Sequence, residues 1–285
     1  MKLAHLILAH VYPEQLDRLI RALQHPDADF YVHIDQKTDI RPFLKLQQYN
    51  NVYFVRKRQK VCWGAYSMVQ ATLNGFEQIM ASAIPYDYIN LLSGQDYPLK
   101  SPEYIHHFLQ KQAGTQFMEY FSLEDEWQEA IQRVNKYHLT HYPIPGKHTL
   151  EKLLNTLLPD RKAPEKLTIV GRSQWFTITL EAVKYILLYL RMHPNVKRFF
   201  KLTWGADELV FQTLLYNSPF RSRIQNNNLR YIDWSEGKAS PKILTVADEH
   251  ALRASGKLFA RKFDTTAHSE ILDLLDTKYL TIGRF

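Results

Sequence analysis

Two adjacent acids in the second half of the chain have the surroundings that proton-transfer chemistry uses. Asp207 and Glu208 follow the aromatic–glycine pair Trp204-Gly205, at the predicted start of a helix. Two acids in a first helical turn ordinarily interact favourably with the helix dipole. A buried carboxylate there is also a suitable general base for a hydroxyl group, because burial raises its pKa. On these residues alone, both interpretations of Glu208 stay open.

Two adjacent cations, Arg261 and Lys262, lie between aromatic residues in the segment Phe-Ala-Arg-Lys-Phe at residues 259–263. A solvated pair of side chains is the simplest interpretation. The same pair is suited to hold a diphosphate leaving group, on which negative charge develops as the bond to it breaks. The segment is therefore a candidate anion site.

Polar residues also follow two apolar runs in the first half of the chain. Asp35 follows the run at residues 30–34, and Ser-Gly-Gln-Asp at residues 93–96 follows a later run. Ligands of open α/β sheets bind at the carboxyl ends of the strands. Asp35 is thus either a ligand of a uracil or ribose or an ordinary turn residue. Ser93 is expected at the same edge, where Asp96 either contacts the sugar of a nucleotide donor or orients the loop.

Three tryptophans are candidates for stacking on a base or a sugar. Trp63 precedes Gly64, which allows a close backbone approach, so this pair suits a nucleotide base. Trp175 follows Gln174 in a segment interpreted as a loop entering a strand, and its ring suits the apolar face of a sugar. Trp204, beside the two acids, is the third. A loop whose aromatic residue covers the core explains each segment equally well.

The sequence contains no evident set of metal ligands. Its one Asp-x-Asp motif, at residues 27–29, precedes the predicted second strand and so belongs to the opposite end of the sheet. The 12 histidines are dispersed, and Cys62 is the only cysteine, which excludes an internal disulfide and a cysteine-based metal site. Cys62 is interpreted as a small buried residue. We expect no divalent metal, with Arg261 and Lys262 supplying positive charge in its place.

The elements that must position these residues alternate between strands and helices in the first third of the chain. Apolar runs predict strands at residues 3–9, 30–34, 51–55 and 88–92. Apolar residues at three- and four-residue spacing predict helices that start at Pro13 and span residues 68–79. This order predicts an α/β fold with a mainly parallel, Rossmann-like sheet flanked by helices.

The pattern is less regular beyond about residue 115. Residues 140–166 are rich in His, Pro and Lys and are interpreted as a mobile excursion or an acceptor loop. Strands are predicted at residues 167–170, 175–179 and 228–234, and helices at residues 182–191 and 207–216. We expect one globular domain over residues 1–285, with a nucleotide-binding half (1–115) and an acceptor and catalytic half (116–285).

Composition and charge limit the class of partner. The 285 residues are 45% hydrophobic, which is ample for a sizeable core. A net charge of +7 favours anionic partners such as nucleotide sugars, and no helix-turn-helix, zinc or RNA-binding signature predicts a nucleic acid. No segment approaches the roughly 20 apolar residues of a membrane span. We expect a cytoplasmic protein whose basic surface is able to contact anionic lipid at the periphery of a membrane.

Taken in order, these segments resemble the core-2/I-branching and peptide O-xylosyltransferase family. The resembling segments are residues 30–35, 63–67, 89–100, 171–176, 207–208, 226–230 and 259–263. The resemblance implies a GT-A-type fold, an inverting mechanism and independence from metal ions. It implies that Glu208 is the catalytic base and that Arg261 and Lys262 bind the diphosphate. It also implies that Asp35 and Trp63 lie near the uracil of a UDP-sugar.

The sequence departs from the family at several points. Gln174 stands where xylosyltransferases look to have an acid, and Lys242 is a stand-in for a further basic residue of the branching enzymes. The family's acceptor loops do not align. Eukaryotic relatives carry a membrane anchor and several disulfides. This sequence shows neither feature, so a bacterial-type cytoplasmic enzyme is implied.

The expected reaction is transfer of xylose or N-acetylglucosamine from a UDP-sugar to a hydroxyl, with a β-linked product. A glycan, a glycolipid or a peptide supplies that hydroxyl. The alternative is a non-catalytic carbohydrate- or nucleotide-binding module that retains the fold.

Overall fold

The structure, a computed structural model, describes residues 1–280. The strands are β1 (Leu3–Ala9), β2 (Ala28–Ile34), β3 (Val52–Phe54), β4 (Tyr88–Ser93), β5 (Asp96–Pro98), β6 (Gln116–Ser122), β7 (Val170–Thr179), β8 (Ile224–Asn226), β9 (Arg230–Ile232) and β10 (Phe259–Arg261). The helices are α1 (Pro13–Ala22), α2 (Tyr66–Ala81), α3 (Pro102–Lys111), α4 (Ile131–Asn135), α5 (Lys147–Leu157), α6 (Leu180–Met192), α7 (Pro194–Lys201), α8 (Val210–Tyr216), α9 (Glu249–Ala254) and α10 (Glu270–Leu275).

A seven-stranded sheet with the order β3-β2-β1-β4-β7-β6-β8 forms the centre of the molecule. Its strands β1 to β4 pair in parallel, and β6 pairs in parallel with β8. Strand β7 runs antiparallel to both of its neighbours, β4 and β6. A three-stranded sheet with the order β5-β10-β9 joins segments far apart in sequence. The predicted α/β class with a mainly parallel sheet is confirmed.

Strands β1, β2 and β4 are buried on both faces, which explains their unbroken apolar runs. Side chains alternate along β1, so Leu6 packs in one core cluster with Phe76 of α2. Ile7 packs in the opposite cluster with Leu19 of α1. These layers hold the carboxyl ends of β1, β2 and β4 at one edge, where the predicted polar residues begin.

The central sheet takes strands from both predicted halves of the chain, since β6, β7 and β8 lie beyond residue 115. The predicted boundary at residue 115 therefore does not separate two structural units, because strands from both halves form one sheet. Residues 281–285 of the predicted domain lie outside the described residues. Within residues 1–280, no helix is both long and apolar enough to cross a bilayer.

Several predicted boundaries in the second half are wrong. Residues 171–174, interpreted as a loop entering the predicted strand at 175–179, are part of the same strand β7, which β4 and β6 pair with on its two sides. Residues 167–169 precede that strand, which begins at Val170. The predicted helix at residues 207–216 is split into a 3-10 turn at Ala206–Glu208 and α8. The segment at residues 140–166 contains α5. Cys62 is exposed rather than buried.

Candidate active site

A cavity of about 670 Å³ opens at the carboxyl ends of β1, β2 and β4. Its lining combines strand ends from the first half with β7, the 3-10 turn at Ala206–Glu208 and β10 from the second half. The sequence-predicted residues that line it are Asp35, Trp63, Ser93, Gln174, Trp175, Glu208, Arg261 and Lys262. Those that do not line it are Gly64, Asp96, Trp204 and Lys242.

Glu208 lies on one wall of the cavity, where its Oε2 accepts a hydrogen bond of 2.7 Å from Nη1 of Arg133. Its side chain keeps 30% of its surface accessible. Burial raises the pKa of Glu208, and the positive charges of Arg133, Arg172 and Arg261 oppose that rise. The group is thus a partly accessible carboxylate whose basicity is set by opposing effects, as a general base requires.

Strand β7 packs directly against the backbone of Glu208. A Cβ added to Gly171 would lie 2.1 Å from the carbonyl oxygen of Glu208 and 2.7 Å from Cδ2 of Leu209. Both contacts are too short for real atoms, so glycine is needed here for the 3-10 turn to approach the strand. Gly171 therefore fixes the position of the Glu208 backbone.

Arg133 is held between two aromatic rings. Its guanidinium lies 4.6 Å from the ring centroids of both Trp127 and Trp204, at distances typical of cation–π contacts. The backbone N–H of Trp204 donates to the carbonyl of Arg133, at 3.1 Å. Trp204 therefore orients the arginine that pairs with Glu208, which differs from the predicted contact with a sugar.

Asp207, the neighbour of Glu208, also lines the cavity and is buried. No hydrogen-bond partner is found for its Oδ1 within residues 1–280. Burial and the nearby charge of Glu208 both raise the pKa of Asp207. Two carboxyl groups so close together disfavour simultaneous ionisation, so negative charge on Asp207 opposes that on Glu208.

A second part of the lining, which we call the phosphate wall, carries Arg261, the last residue of β10. Its Nε lies 3.2 Å from Oδ1 of Asp96, with the N–H not aligned for a hydrogen bond, so the contact is an ion pair. Its guanidinium also lies 4.3 Å from the ring centroid of Trp175. Asp96 is completely buried and accepts a hydrogen bond from the Ser93 backbone, at 3.0 Å. Of the two predicted roles for Asp96, orientation of this region is the one that its position supports.

Lys262 follows Arg261 and lines the same cavity. Burial lowers the pKa of Lys262, and the neighbouring charge of Arg261 lowers it further. Within residues 1–280, no carboxylate lies within ion-pair distance of its ammonium group. A polyanion bound in the cavity would offset both effects, so Arg261 and Lys262 form a candidate phosphate site.

Arg230 joins the two sheets beneath this site. It is buried at the start of β9, where it donates hydrogen bonds to the carbonyls of Leu91 in β4 and Phe176 in β7, both at 3.0 Å. A third hydrogen bond, of 2.9 Å, goes to the hydroxyl of Thr177. Burial lowers the pKa of Arg230 to about 9. These contacts fix the three-stranded sheet, and with it β10, against the central sheet.

Asp35 lies at the carboxyl end of β2, as predicted. Its Oδ1 accepts a hydrogen bond of 2.9 Å from the backbone of Lys37, and its Oδ2 lies 3.5 Å from the Lys37 ammonium. His10 and His33 line the same part of the cavity, and burial lowers the pKa of both imidazoles, that of His33 to about 4. Asp35 therefore lies in a corner lined by neutral rings, a setting that suits a nucleoside.

The predicted stacking residues divide into two groups. Trp63 is 63% exposed at the cavity rim and packs edge-on against Trp204, with 5.2 Å between ring centroids. Gly64 has φ +69°, and a Cβ there would lie 2.9 Å from Nε1 of Trp204, so this glycine allows the two tryptophans to meet. Trp175 is buried beneath Arg261. Trp63 therefore presents the accessible ring.

Gln174 is buried in the cavity wall, and its Nε2 has no hydrogen-bond partner within residues 1–280. Its neighbour Ser173 accepts a hydrogen bond of 3.1 Å from Asn228, which also donates to Glu119 at 2.9 Å. The unpaired amide of Gln174 is a donor that a ligand hydroxyl would satisfy.

Lys242 lies away from the cavity. Its ammonium is 2.6 Å from Oδ1 of Asp248 and 3.9 Å from Oδ2 of Asp233. These two carboxylates neutralise it, so the structure offers no support for its predicted contact with the donor, although Pro241 beside it does line the cavity.

The sequence interpretation missed several lining residues and their supports. Arg133 precedes Glu208 by 75 residues and lies in a short helix, so no local pattern connects the two. Glu119 and Lys257 lie in segments where no motif was identified. His10 was identifiable, because it directly follows a predicted strand whose carboxyl end had to face the site.

Within residues 1–280, no group of three or more His, Cys, Asp or Glu side chains is arranged to hold a metal ion. The Asp-x-Asp motif lies at the start of β2, where Asp29 accepts a hydrogen bond from the Tyr86 hydroxyl. The motif is therefore at the edge opposite the cavity, as predicted.

Comparison with known proteins identifies the family of this chain. A family model described as Core-2/I-Branching enzyme matches residues 3–253, and the chain belongs to this family.

Among similar proteins, rat xylosyltransferase 1 is 25% identical over 284 residues, which cover 92% of this chain and 33% of that protein. Rat xylosyltransferase 2 is 26% identical over 299 residues, which cover 97% of this chain and 33% of that protein. The chain thus spans about a third of the length of these relatives. Among solved structures, apo mouse xyloside xylosyltransferase 1 aligns over 90% of this chain and 97% of that one, with a TM-score of 0.39 and 11% identity.

Proposed function

We propose that this protein is a glycosyltransferase that transfers a sugar from a UDP-sugar to an acceptor hydroxyl, with inversion and without a divalent metal. The observation that carries the proposal is that one cavity is lined both by a partly accessible carboxylate, Glu208, and by the adjacent cations Arg261 and Lys262. A base and an anion site in one cavity are the two groups that a direct displacement from a diphosphate requires.

In the proposed step, the Glu208 carboxylate takes the proton of the acceptor hydroxyl. The acceptor oxygen forms a bond to the anomeric carbon from the face opposite the diphosphate. The bond between that carbon and the β-phosphate oxygen breaks, and its electron pair leaves with UDP. An α-linked donor therefore gives a β-linked product.

Metal independence is supported by the charges of the cavity lining. Its basic residues are Lys37, Arg172, Arg230, Lys257, Arg261 and Lys262. Its acidic residues, Asp35, Glu119, Asp207 and Glu208, are fewer. Side-chain cations positioned before the reaction stabilise developing phosphate charge without reorganisation of solvent. Arg261 and Lys262 would perform here the role that Mg²⁺ or Mn²⁺ performs elsewhere.

For the donor we propose UDP-xylose or UDP-N-acetylglucosamine. The names of the similar proteins favour xylose. The unpaired amide of Gln174 in the wall suits a sugar hydroxyl or an N-acetyl carbonyl, and so it leaves both donors open. The acceptor is a glycan, a glycolipid or a peptide.

A panel of UDP-sugars tests the proposal through donor binding and UDP release, each with and without EDTA. We expect one donor to raise the melting temperature and to release UDP in the presence of an acceptor, with equal rates in chelator. Activity that requires Mn²⁺ and disappears in EDTA would contradict metal independence. Donor binding without transfer to any glycan, glycolipid or peptide acceptor would favour a non-catalytic binding module.

A further inference from the structure

Helix α5 is attached to the rest of the protein by its polar side. The side chain of Asn155 accepts a hydrogen bond of 2.7 Å from the Tyr137 backbone N–H and donates one of 2.9 Å to the Tyr137 carbonyl. Glu151, one turn earlier, accepts a hydrogen bond of 2.9 Å from the backbone of Leu139. Positions four apart lie on the same side of a helix, so these contacts fix which face of α5 points inward.

The apolar side of α5 consequently faces outward. Leu150, Leu153 and Leu157 follow the three- and four-residue spacing of one helix face, and they are 39%, 51% and 71% exposed. None of the residues of α5 is buried. A surface helix ordinarily buries its apolar stripe against the core. Here the stripe is left uncovered within the described part of the chain, because the polar face is held inward by hydrogen bonds.

Two further exposed aliphatic residues extend this stripe. Ile144 precedes the helix and is 41% exposed, and Leu158 follows it and is 42% exposed. The five side chains together expose an apolar area on the order of 400 Å², which is within the size range of functional patches on soluble proteins. We call these five residues the α5 ridge.

Basic side chains lie near the α5 ridge. At about 100° per residue, Lys147 lies roughly 60° from Leu150 on one side of the leucine stripe, and Lys152 lies roughly 100° from Leu153 on the other side, beyond two threonines. Lys162 follows the helix. None of the three has an ion-pair partner in residues 1–280.

The acids of the same segment are already engaged. Asp160 is bound by Lys136, and Glu165 accepts a hydrogen bond of 2.6 Å from Asn195. Glu151 faces inward, as described above. The accessible surface around the α5 ridge is therefore aliphatic and basic, because its acids are engaged elsewhere.

We propose that the α5 ridge docks on an anionic lipid surface, with α5 lying in the plane of the interface. An aliphatic helix face accompanied by unpaired lysines is the composition of helices that insert at the boundary of headgroups and acyl chains. Anionic headgroups would neutralise the three free lysines.

A second copy of the chain fits the ridge less well. The ridge supplies roughly half of the ~800 Å² that each partner of a standard interface buries. In a two-fold contact of α5 with itself, like charges from the two copies would also be brought together. The proposal does not depend on the proposed activity.

Co-sedimentation of the intact protein with vesicles tests the proposal directly. We expect binding to vesicles that contain phosphatidylglycerol and much weaker binding to pure phosphatidylcholine, with the difference reduced by salt. The matched variants are Leu157→Glu on the α5 ridge and Leu188→Glu on α6, where Leu188 is 57% exposed. Both exchange an exposed helical leucine for the same charge.

Leu157→Glu is expected to weaken vesicle binding at least about tenfold, since it removes an inserted side chain and adds a repelled charge. Leu188→Glu should bind like the wild type. Lys152→Gln should weaken binding about fivefold, and it keeps the test valid if Leu157→Glu does not fold by circular dichroism.

Three results would overturn the proposal. The first is equal binding to neutral and anionic vesicles, or to neither. The second is an equal loss in the two leucine variants. The third is a dimer, seen by light scattering without lipid, that Leu157→Glu dissociates, because the ridge would then be a contact between two copies.

Discussion

The ion pairs in the two charged walls of the cavity differ strongly in solvent accessibility. On one wall, Arg261 pairs with Asp96, whose side chain is completely buried, and Arg261 itself is 14% exposed. On the other wall, Glu208 pairs with Arg133, and these side chains are 30% and 24% exposed. The buried Asp96 cannot exchange its partner for a ligand, whereas Glu208 can meet an incoming group.

This difference indicates that the two walls have different roles. A completely buried carboxylate holds its arginine as a fixed part of the scaffold, because leaving either charge unpaired would be costly. A partly exposed carboxylate with an arginine at its edge remains able to accept a proton. The phosphate wall is therefore held in a fixed position, whereas the base wall can respond to an incoming group. Each of the predictions below breaks or sharpens this contrast.

The largest effect is expected from Glu208→Gln, which removes the base and keeps the shape of the side chain. Loss of a general base costs about 10²–10⁴-fold in rate. We expect kcat for sugar transfer to fall by this factor while calorimetry shows unchanged UDP affinity, since the phosphate wall is intact. Glu119→Gln, another glutamate of the cavity lining, is the matched control and should lose far less. A rate near that of the wild type in Glu208→Gln would exclude this residue as the base.

Lys262→Met tests the phosphate wall and should rank second. Removing one group that stabilises developing charge typically costs about 10²–10³-fold in rate. Unlike the Glu208 variant, it should also weaken UDP binding, because the charge acts on the bound diphosphate as well. Lys257→Met is the control: Lys257 also lines the cavity, but its ammonium donates a hydrogen bond of 2.7 Å to Asn227. Equal losses in both lysine variants would mean that only overall cavity charge matters.

Gly171→Ala should displace the base without touching its chemistry. The added Cβ would overlap the Glu208 carbonyl at 2.1 Å, so the 3-10 turn must move. A misplacement of about 1 Å can cost roughly 10²-fold in rate, and overpacking typically costs about 1–3 kcal/mol in stability.

Gly75→Ala separates the two effects of that substitution. Its Cβ would lie 2.4 Å from Cδ1 of Leu6, in the core and away from the cavity, so it should lower the melting temperature with kcat retained. If both alanine variants lose stability and both keep kcat, Gly171 does not position the base.

The sequence predicted the strands that have apolar runs and missed the part of β7 that neighbouring strands hold in an extended conformation. Strands β1, β2 and β4 were predicted because each is buried on both faces and has an apolar run, and the edge strand β3 was predicted from its apolar run alone. Residues 171–174 were interpreted as a loop between two predicted strands, since Gly171, Arg172 and Ser173 are poor strand formers. They nevertheless lie in β7, where β4 and β6 impose extended backbone from both sides. Tertiary pairing overrides local propensity at such positions.

The site was predictable to a similar degree. Glu208 and the Arg261–Lys262 pair were candidates because of their aromatic neighbours, but the residues alone left their roles open. The roles of base and diphosphate partner came from the resemblance to the family. The pairs that they form were not predicted. Arg133 lies 75 residues from Glu208, and Asp96, although a candidate itself, lies 165 residues from Arg261 and is brought to it by two strands of three residues each. Such pairs are set by the packing of distant elements, which leaves no periodic signal in the chain.

Arg133→Met should have the smallest effect on the maximal rate, because it mainly changes the pH dependence of the reaction. Burial raises the pKa of Glu208, and Arg133 is the largest opposing influence. Without Arg133 the pKa of Glu208 must rise further, and the base is active only when ionised. The acidic limb of the profile of kcat/KM should therefore move to higher pH, with a few-fold loss near neutrality that is recovered in more alkaline buffer.

Arg172→Met provides the graded control for that shift. Arg172 also lowers the pKa of Glu208, but less than Arg133 does, so its removal should move the limb in the same direction by a smaller amount. Glu208→Gln should show no recovery at any pH, since an amide cannot ionise. An acidic limb that does not move in Arg133→Met would mean that the limb reports the ionisation of another group. Asp207 would then be the next candidate for the base.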